Sequence, residues 1–125
     1  MTVESPRTRV FVVEDESLIL MLLQDLLEET GCECVASATR LEAAKNLAAE
    51  GAFDLAILDV NVRGETSYPV AEILVARGAP VIFATGYGET GVEDAWRHAP
   101  VLQKPYDART LREAIGKALG RESRP

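Results

Sequence analysis

The stretch Arg9-Val10-Phe11-Val12-Val13 is apolar and β-branched, and it runs directly into Glu14-Asp15. No polar residue alternates with the apolar ones, which is typical of a parallel strand that is buried on both faces. A second stretch, Leu55-Ala56-Ile57-Leu58, has the same character and runs directly into Asp59. Each of these predicted strands therefore ends at an acidic side chain.

Further strands and helical segments alternate along the rest of the chain. Strands are also predicted from Cys34 to Ala38, Val81 to Ala84 and Val101 to Gln103. Helices are predicted from about Glu16 to Thr30, Arg40 to Glu50, Glu65 to Arg77 and Asp107 to Leu119, with at most a weak helix from Gly88 to His98. Five strand–helix units predict an open, doubly wound (βα)5 domain of the α/β class with a parallel sheet. We expect a single domain over residues 1–125, with its core from about 8 to 119 and short frayed tails.

Composition and charge narrow the class of protein. The chain has 125 residues, 20 acidic against 13 basic side chains, and a net charge of -7. Phosphate contacts need clustered Lys and Arg, so we expect no nucleic-acid partner. The longest apolar run, Leu18 to Leu23, is too short to cross a membrane, and we expect a cytoplasmic protein without a membrane partner. Cys32 and Cys34 are interpreted as strand residues in a reducing compartment.

Polar side chains collect at the ends of the predicted strands, namely Glu14, Asp15, Asp59, Thr85 and Lys104. The carboxyl ends of parallel strands meet at one edge of the sheet, where doubly wound domains bind their ligands, so we expect these groups to converge. Clustered carboxylates need a counter-charge, and oxygen ligands without His or thiolate favour Mg²⁺ over zinc. The sequence therefore predicts a magnesium site at this edge.

Asp59 is suited to phosphoryl transfer. A carboxylate at a rigid strand end can attack phosphorus and form an acyl phosphate. The equatorial oxygens of the transferred group need neutralisation, which Mg²⁺, the Lys104 ammonium and the Thr85 hydroxyl can supply. Nucleophile, metal, cation and hydroxyl donor are thus predicted in one pocket.

This ordered set of residues resembles the receiver domain of two-component response regulators (the CheY-like family) over about residues 8–119. The resemblance implies a flavodoxin-like fold with strand order 2-1-3-4-5, Mg²⁺ as cofactor, and a histidine kinase or histidine phosphotransfer protein as phosphodonor. It implies that Asp59 is the phosphoacceptor. It implies that the metal is held by Glu14, Asp15, Asp59 and the backbone carbonyl of Asn61. It also implies that Thr85 supplies the switch hydroxyl, that Lys104 is the phosphate-sensing cation, and that Pro105 forms a cis Lys-Pro bond. Because Glu14 and Asp15 are adjacent, only a turn after the strand lets both serve one ion. We expect Asp15 to bind directly and Glu14 through water.

A narrower resemblance concerns the stretch from Pro80 to Tyr87, Pro-Val-Ile-Phe-Ala-Thr-Gly-Tyr. It is similar to the Pro-Phe-x-Phe-Ala-Thr-Gly-Tyr motif of the FAT GUY receivers, although Val81 departs from the first Phe. Those receivers mostly stand alone and often work with HWE-type histidine kinases. The aromatic residue that most receivers carry on the fifth strand is Val101 here. We hypothesise that Tyr87 replaces it as the switch aromatic; the competing interpretation is that Tyr87 only packs on the surface.

The first predicted helix is unusually apolar. On a helical wheel Met21 falls inside the polar stripe, so its side chain should be exposed. The receiver resemblance implies that this helix docks against the kinase, so Ile19, Met21 and Leu22 are predicted as a partner face. The competing interpretation is a broad buried face with one stray methionine.

The function predicted from the sequence is a single-domain response regulator of a phosphorelay, not a turnover enzyme. Its output would be contact with an unknown downstream protein, or service as a phosphate sink or relay. A haloacid-dehalogenase-type phosphatase would need an Asp general acid where Asn61 stands. A nucleotide- or flavin-binding domain would need a phosphate cradle where the acidic stretch Glu14 to Ser17 repels phosphate. An interaction module with an inactive site is the remaining alternative.

Overall fold

The computed structural model describes residues 7–86 and 91–120. Five parallel strands form one sheet in the order β2-β1-β3-β6-β7, and β4 and β5 form a separate antiparallel pair. The strands are β1 Thr8–Val13, β2 Cys32–Ala38, β3 Leu55–Asp59, β4 Asn61–Val62, β5 Glu65–Thr66, β6 Val81–Thr85 and β7 Val101–Gln103. The helices are α1 Ser17–Glu29, α2 Leu41–Glu50, α3 Tyr68–Ala76 and α4 Ala108–Ala118. With the β4-β5 hairpin left out of the count, the strand order is the predicted 2-1-3-4-5.

Alternate strand residues pack on opposite faces of the sheet and build two cores. Val10 and Val12 of β1 pack with Leu27 of α1 and Leu111 of α4, and this side is called the α1/α4 face below. Phe11 of β1 belongs to the other core, which α2 and α3 cover. The central strands are therefore buried on both sides, as their uninterrupted apolar sequences predicted.

Local sequence signals set two helix ends. The Asp107 carboxylate accepts from the Thr110 N–H at 2.9 Å, and the Asp107 N–H donates to the Thr110 hydroxyl at 3.1 Å. This capping box confirms Asp107 as the residue that caps α4. Gly31 follows α1 with a φ of 83°, a conformation that glycine adopts without strain.

The start of the third helix differs from the prediction. Glu65 and Thr66 pair with Val62 and Asn61 in the hairpin, so α3 begins at Tyr68 rather than Glu65. The two-residue loop Arg63-Gly64 has φ values of 53° and 84°, and hairpin loops with positive φ at both positions match the twist of their strands. Glycine is favoured at the second position of such a loop, so Gly64 is a local signal for the turn.

The predicted weak helix from Gly88 to His98 is wrong over the part that the structure describes. Gly91 has 3-10 rather than α-helical geometry, and residues 92–100 contain one 3-10 turn, Asp94–Trp96. Aromatic packing holds this segment instead, because the Trp96 ring stacks on Tyr68 at a centroid distance of 6.0 Å and meets Phe83 edge-on at 5.5 Å. The described residues thus contain four α-helices rather than five.

Both cysteines lie in the second strand of the sheet. Cys32 and Cys34 lie in β2 as free thiols, as predicted, and β2 begins two residues earlier than predicted. Among residues 7–86 and 91–120, no helix combines the length and the apolar character that crossing a membrane requires.

Candidate functional site

Three carboxylates meet at the carboxyl ends of β1 and β3. Glu14, Asp15 and Asp59 each place one oxygen within 4.8 Å of the others. The two strands are neighbours with Val13 opposite Leu58, so the next residues along each strand come side by side. Glu14 is 1% exposed and Asp59 is 4% exposed. The sequence prediction that these acidic groups converge is confirmed, and two of them are shielded from water.

Lys104 supplies the counter-charge that this cluster requires. Its Nζ atom lies 2.8 Å from Asp59 Oδ1 and 3.1 Å from Glu14 Oε1. Lys104 directly follows β7, and its N–H donates to the Thr85 carbonyl at 2.9 Å, which extends the sheet by one residue toward the site. The Lys104–Pro105 peptide bond is cis, as the receiver resemblance implied.

Burial and crowding change the acidity of these groups. Burial, reinforced by the neighbouring Glu14, raises the pKa of Asp59 to about 8, although Lys104 acts in the opposite direction. Burial acts to lower the pKa of Lys104, but Asp59 and Glu14 outweigh it, so that pKa is raised. The ammonium therefore stays charged, while Asp59 holds a proton more readily than a solvated aspartate does. A cation bound to the carboxylates would favour their ionised form.

Two hydrogen bonds from the segment after β3 hold residues of the acidic cluster, one at the backbone of Asp59 and one at the side chain of Asp15. The Ser67 hydroxyl donates a short hydrogen bond to the Asp59 carbonyl, and Ser67 is fully buried. The Arg63 N–H, in the hairpin loop, donates to Asp15 Oδ2 at 2.9 Å. Neither Ser67 nor Arg63 was among the site residues predicted from the sequence. Gly64 was a signal for the loop that presents Arg63, whereas nothing in the sequence distinguished Ser67 from other serines.

The remaining predicted site residues differ in their surroundings. Thr85 ends β6 and is buried, and Asn61 lies in β4 two residues after Asp59, with an exposed side chain. Tyr87 lies outside the described residues. The structure thus brings Glu14, Asp15, Asp59 and Lys104 into direct proximity and joins Thr85 to Lys104 through the backbone.

The predicted partner face lies on α1. Met21 is 59% exposed, as predicted, and Leu22 is 51% exposed, while Ile19 is half-buried and packs against the α1/α4 core. Leu18, which the sequence analysis did not single out, is 81% exposed. The exposed apolar patch therefore consists of Leu18, Met21 and Leu22.

The donor set fits a magnesium ion. The cluster offers three carboxylates, and within the described part of the chain neither histidine nor cysteine joins it. Mg²⁺ is a small, hard cation that is held by one or two carboxylates together with water and phosphate oxygens. The chemistry of these residues therefore suits Mg²⁺ better than a metal that seeks nitrogen or sulfur.

A comparison with known families matches residues 10–116 to the response regulator receiver domain. The chain belongs to this family. Receiver domains act in two-component signal transduction and are phosphoacceptors rather than turnover enzymes. They bind Mg²⁺ at an acidic cluster, which here is Glu14, Asp15 and Asp59, and they interact with histidine kinases or phosphotransfer proteins.

Several known receivers are similar to this one. SdrG from Sphingomonas melonis Fr1 is 42% identical with a TM-score of 0.77, and the match covers 94% of this chain and 98% of SdrG. The transcriptional regulatory protein PdtaR of Mycobacterium tuberculosis is 34% identical over 90% of this chain, which spans 57% of PdtaR. The polar-differentiation response regulator DivK of Brucella ovis is 30% identical over 89% of this chain and 95% of DivK.

Proposed function

We propose that this chain is a single-domain response regulator of a phosphorelay, in which Asp59 accepts a phosphoryl group from a phosphohistidine. The donor would be a histidine kinase or a histidine phosphotransfer protein. The observation that carries the proposal is the 2.8 Å contact between the buried Asp59 carboxylate and Lys104, beside two further carboxylates. SdrG and DivK, each matched over nearly its whole length, support a single receiver domain over residues 1–125 with its core at about 8–119.

Asp59 is the nucleophile of the proposed transfer. One of its carboxylate oxygens forms a bond to phosphorus while the phosphorus–nitrogen bond of the phosphohistidine breaks, and the electron pair of that bond returns to the imidazole nitrogen. The product on this chain is an acyl phosphate. Lys104 then pairs with a phosphoryl oxygen, and the Thr85 hydroxyl donates to another. Pro105 fixes the backbone that carries Lys104.

Glu14, Asp15, Asp59 and the backbone carbonyl of Asn61 would hold the Mg²⁺ ion. We propose that Asp15 binds directly and that Glu14 acts through water. The ion, when bound, neutralises the crowded carboxylates and the charge on the phosphoryl oxygens. The hydrogen bond from the Arg63 N–H to Asp15 Oδ2 supports this assignment, because it fixes the orientation of the most accessible carboxylate of the three.

We further propose that the chain is a FAT GUY-type receiver and that Tyr87 is its switch aromatic. The motif covers the whole of β6, Val81–Thr85, and Val101 of β7 stands where most receivers carry the aromatic residue. The matching donor would be an HWE-type kinase. A Tyr87→Ala variant with a normal phosphorylation-linked change in partner affinity would contradict the proposed role of Tyr87.

The patch of Leu18, Met21 and Leu22, with Ile19 at its edge, is proposed as the docking face for the phosphodonor. The proposed docking face is supported by the exposure of three large apolar side chains on α1 in a protein that is acidic overall. The output would be contact with a downstream protein, or service as a phosphate sink or relay, without nucleic acid or membrane as partner. We propose a cytoplasmic location, in which the free Cys32 and Cys34 thiols stay reduced.

Phosphate-affinity electrophoresis tests the phosphoacceptor directly. The protein is incubated with Mg²⁺ and acetyl phosphate, or with a cognate kinase, beside Asp59→Asn and the control Asp94→Asn, whose side chain is 91% exposed. We expect a base-labile shifted band in the wild type and in the control, and none in Asp59→Asn. The absence of any shift, together with absence of Mg²⁺ binding, would favour an interaction module with an inactive site. Steady release of phosphate from simple phosphomonoesters would favour the phosphatase.

A further inference from the structure

Tyr106 is a buried polar residue beside the site that the proposed chemistry does not use. Its side chain is 8% exposed, and its hydroxyl has no hydrogen-bond partner within the part of the chain that the structure describes. A buried hydroxyl without a partner loses its hydrogen bonds to water and gains nothing in exchange. Buried polar groups in proteins are overwhelmingly paired, so this one points to a partner that arrives in another state of the protein.

The alternation of the strands places Tyr106 on the same side of the sheet as the charged residues. Val12, Ile57 and Leu102 pack with Tyr106 on the α1/α4 face. Glu14, Asp59 and Lys104 each follow one of these three residues by two positions, and residues two apart along a strand share a face. The charges of Glu14, Lys104 and Asp59 all act on the Tyr106 phenol.

The Tyr106 phenol is a neutral donor. Burial and the nearby Glu14 raise its pKa, so it keeps its proton throughout the neutral range. Its ring is packed among the apolar side chains of the α1/α4 core. A neutral donor on the same side of the sheet as a carboxylate, and close enough to be affected by its charge, is a group that can orient that carboxylate.

Glu14 is the residue whose partners change during the proposed reaction. Its Oε2 accepts from the Glu16 N–H at 3.1 Å, and its Oε1 accepts from Lys104 Nζ at 3.1 Å. A bound Mg²⁺ ion would take over from Lys104 the neutralisation of the carboxylates, and in the proposed function Lys104 then turns toward the phosphoryl group on Asp59. Glu14 then loses its ammonium partner. Because Glu14 is only 1% exposed, water does not replace that partner.

We infer that Tyr106 is a positioning residue of the metal site, whose hydroxyl donates to the Glu14 carboxylate when the site is loaded with Mg²⁺ and the Lys104 contact is given up. The inference rests on the proposed function. Because the Tyr106 ring is packed in the α1/α4 core, we infer that the Glu14 carboxylate is the group that turns. Groups in the outer shell of a metal site commonly change metal affinity by about 10- to 100-fold, and Glu14, which would hold the ion through water, is such a group.

Tyr106→Phe removes the hydroxyl and keeps the ring, and Mg²⁺ binding is measured by isothermal titration calorimetry on the full chain. We expect the dissociation constant for Mg²⁺ to rise about tenfold. The thermal midpoint of the metal-free protein should stay the same or rise, because the deleted hydroxyl has no partner there. Weaker metal binding without lower metal-free stability is a combination that a purely structural role does not produce.

Tyr68→Phe is the matched control. Tyr68 is also buried, but its hydroxyl accepts from the Glu93 N–H at 2.8 Å and its ring packs on the opposite face of the sheet. We expect this variant to lower the thermal midpoint and to leave Mg²⁺ affinity unchanged. In the wild type, Mg²⁺ should also produce a tyrosine difference band in the near ultraviolet that Tyr106→Phe lacks.

The outcomes separate this inference from the proposed function. Wild-type affinity for Mg²⁺ in Tyr106→Phe would overturn the inference and leave the metal site standing. Absence of Mg²⁺ binding to the wild type would overturn the proposed metal site, and the inference with it. A double variant with Glu14→Gln gives the last test. If the effect of the double variant on Mg²⁺ affinity equals the sum of the two single-variant effects, the pairing of Tyr106 with Glu14 is overturned. A double-variant effect that differs from that sum would support the pairing.

Discussion

Lys104 and Asp59 are in direct contact before any phosphoryl group is present, with Nζ lying 2.8 Å from Oδ1. The contact joins the ends of β7 and β3, which are separated by β6, so the long lysine side chain spans a whole strand. With Glu14 and Asp15 the pocket holds three carboxylates against one ammonium. Two negative charges remain when all groups are ionised, and one divalent cation neutralises them.

Lys104→Met should destabilise the metal-free protein. The substitution keeps most of the apolar stem but leaves Asp59 and Glu14, both nearly fully buried, without their cation. We expect a loss of about 3 kcal/mol in the free energy of unfolding near pH 8. The loss should be smaller near pH 5, where Asp59 is protonated. Urea denaturation at both pH values measures it, and an equal loss at both would show that the ionisation of Asp59 does not cause it.

The stability of the metal-free protein should fall as pH rises from about 4 to about 8. The pKa of Asp59 is raised to about 8 in the fold from its ordinary value of 3.8, so the folded state binds more protons than the unfolded state across this range. Stability then decreases with pH until Asp59 ionises in the folded protein as well. Thermal unfolding in a chelating buffer measures the slope.

Asp59→Asn should make the stability of the metal-free protein depend less on pH. It should also raise the thermal midpoint near pH 8 in the chelating buffer. The amide removes the crowding with Glu14, worth about 1–3 kcal/mol at an effective dielectric near 20. Added Mg²⁺ should reduce the difference in thermal midpoint between Asp59→Asn and the wild type, because it should stabilise only the wild type. A wild-type midpoint that does not change with pH would contradict the raised pKa of Asp59.

Ser67→Ala should lower the free energy of unfolding by about 1–3 kcal/mol. Ser67 is fully buried and its hydroxyl donates to the Asp59 carbonyl, so the alanine leaves a buried acceptor with one donor fewer. Phosphorylation by acetyl phosphate should slow, because the end of β3 is held less firmly. Ser37→Ala, at an exposed position of β2, is the control and should change neither quantity. Equal stability of the two variants would contradict the role of Ser67.

The fold followed from the sequence wherever one physical signal dominated. The unbroken apolar runs ending at Val13 and Leu58 identified central strands, because only a strand covered on both faces lacks polar alternation. The acidic groups were predicted to converge because the carboxyl ends of parallel strands meet at one edge of the sheet. Asp107 capped its helix because the capping preference is local.

The misses arose where tertiary contacts outweighed local preference. The segment around Trp96 is held by ring contacts with Tyr68 and Phe83, which no helical periodicity reveals. The partners of Ser67 and the isolation of the Tyr106 hydroxyl depend on how distant elements pack, so they became visible only in three dimensions.

Met21→Gln should slow phosphotransfer about tenfold when the donor is a kinase or phosphotransfer protein that phosphorylates the wild type. The reason is that one central apolar contact commonly contributes that much to an interface. Phosphorylation by acetyl phosphate should be unchanged, since the small donor needs no docking face. Stability should stay within about 0.5 kcal/mol, because the side chain is 59% exposed. Val75→Gln is the matched control: Val75 is 52% exposed on α3, a helix of the opposite face. If Val75→Gln slows phosphotransfer and Met21→Gln does not, the phosphodonor docks on α3 and the α1 patch has another role.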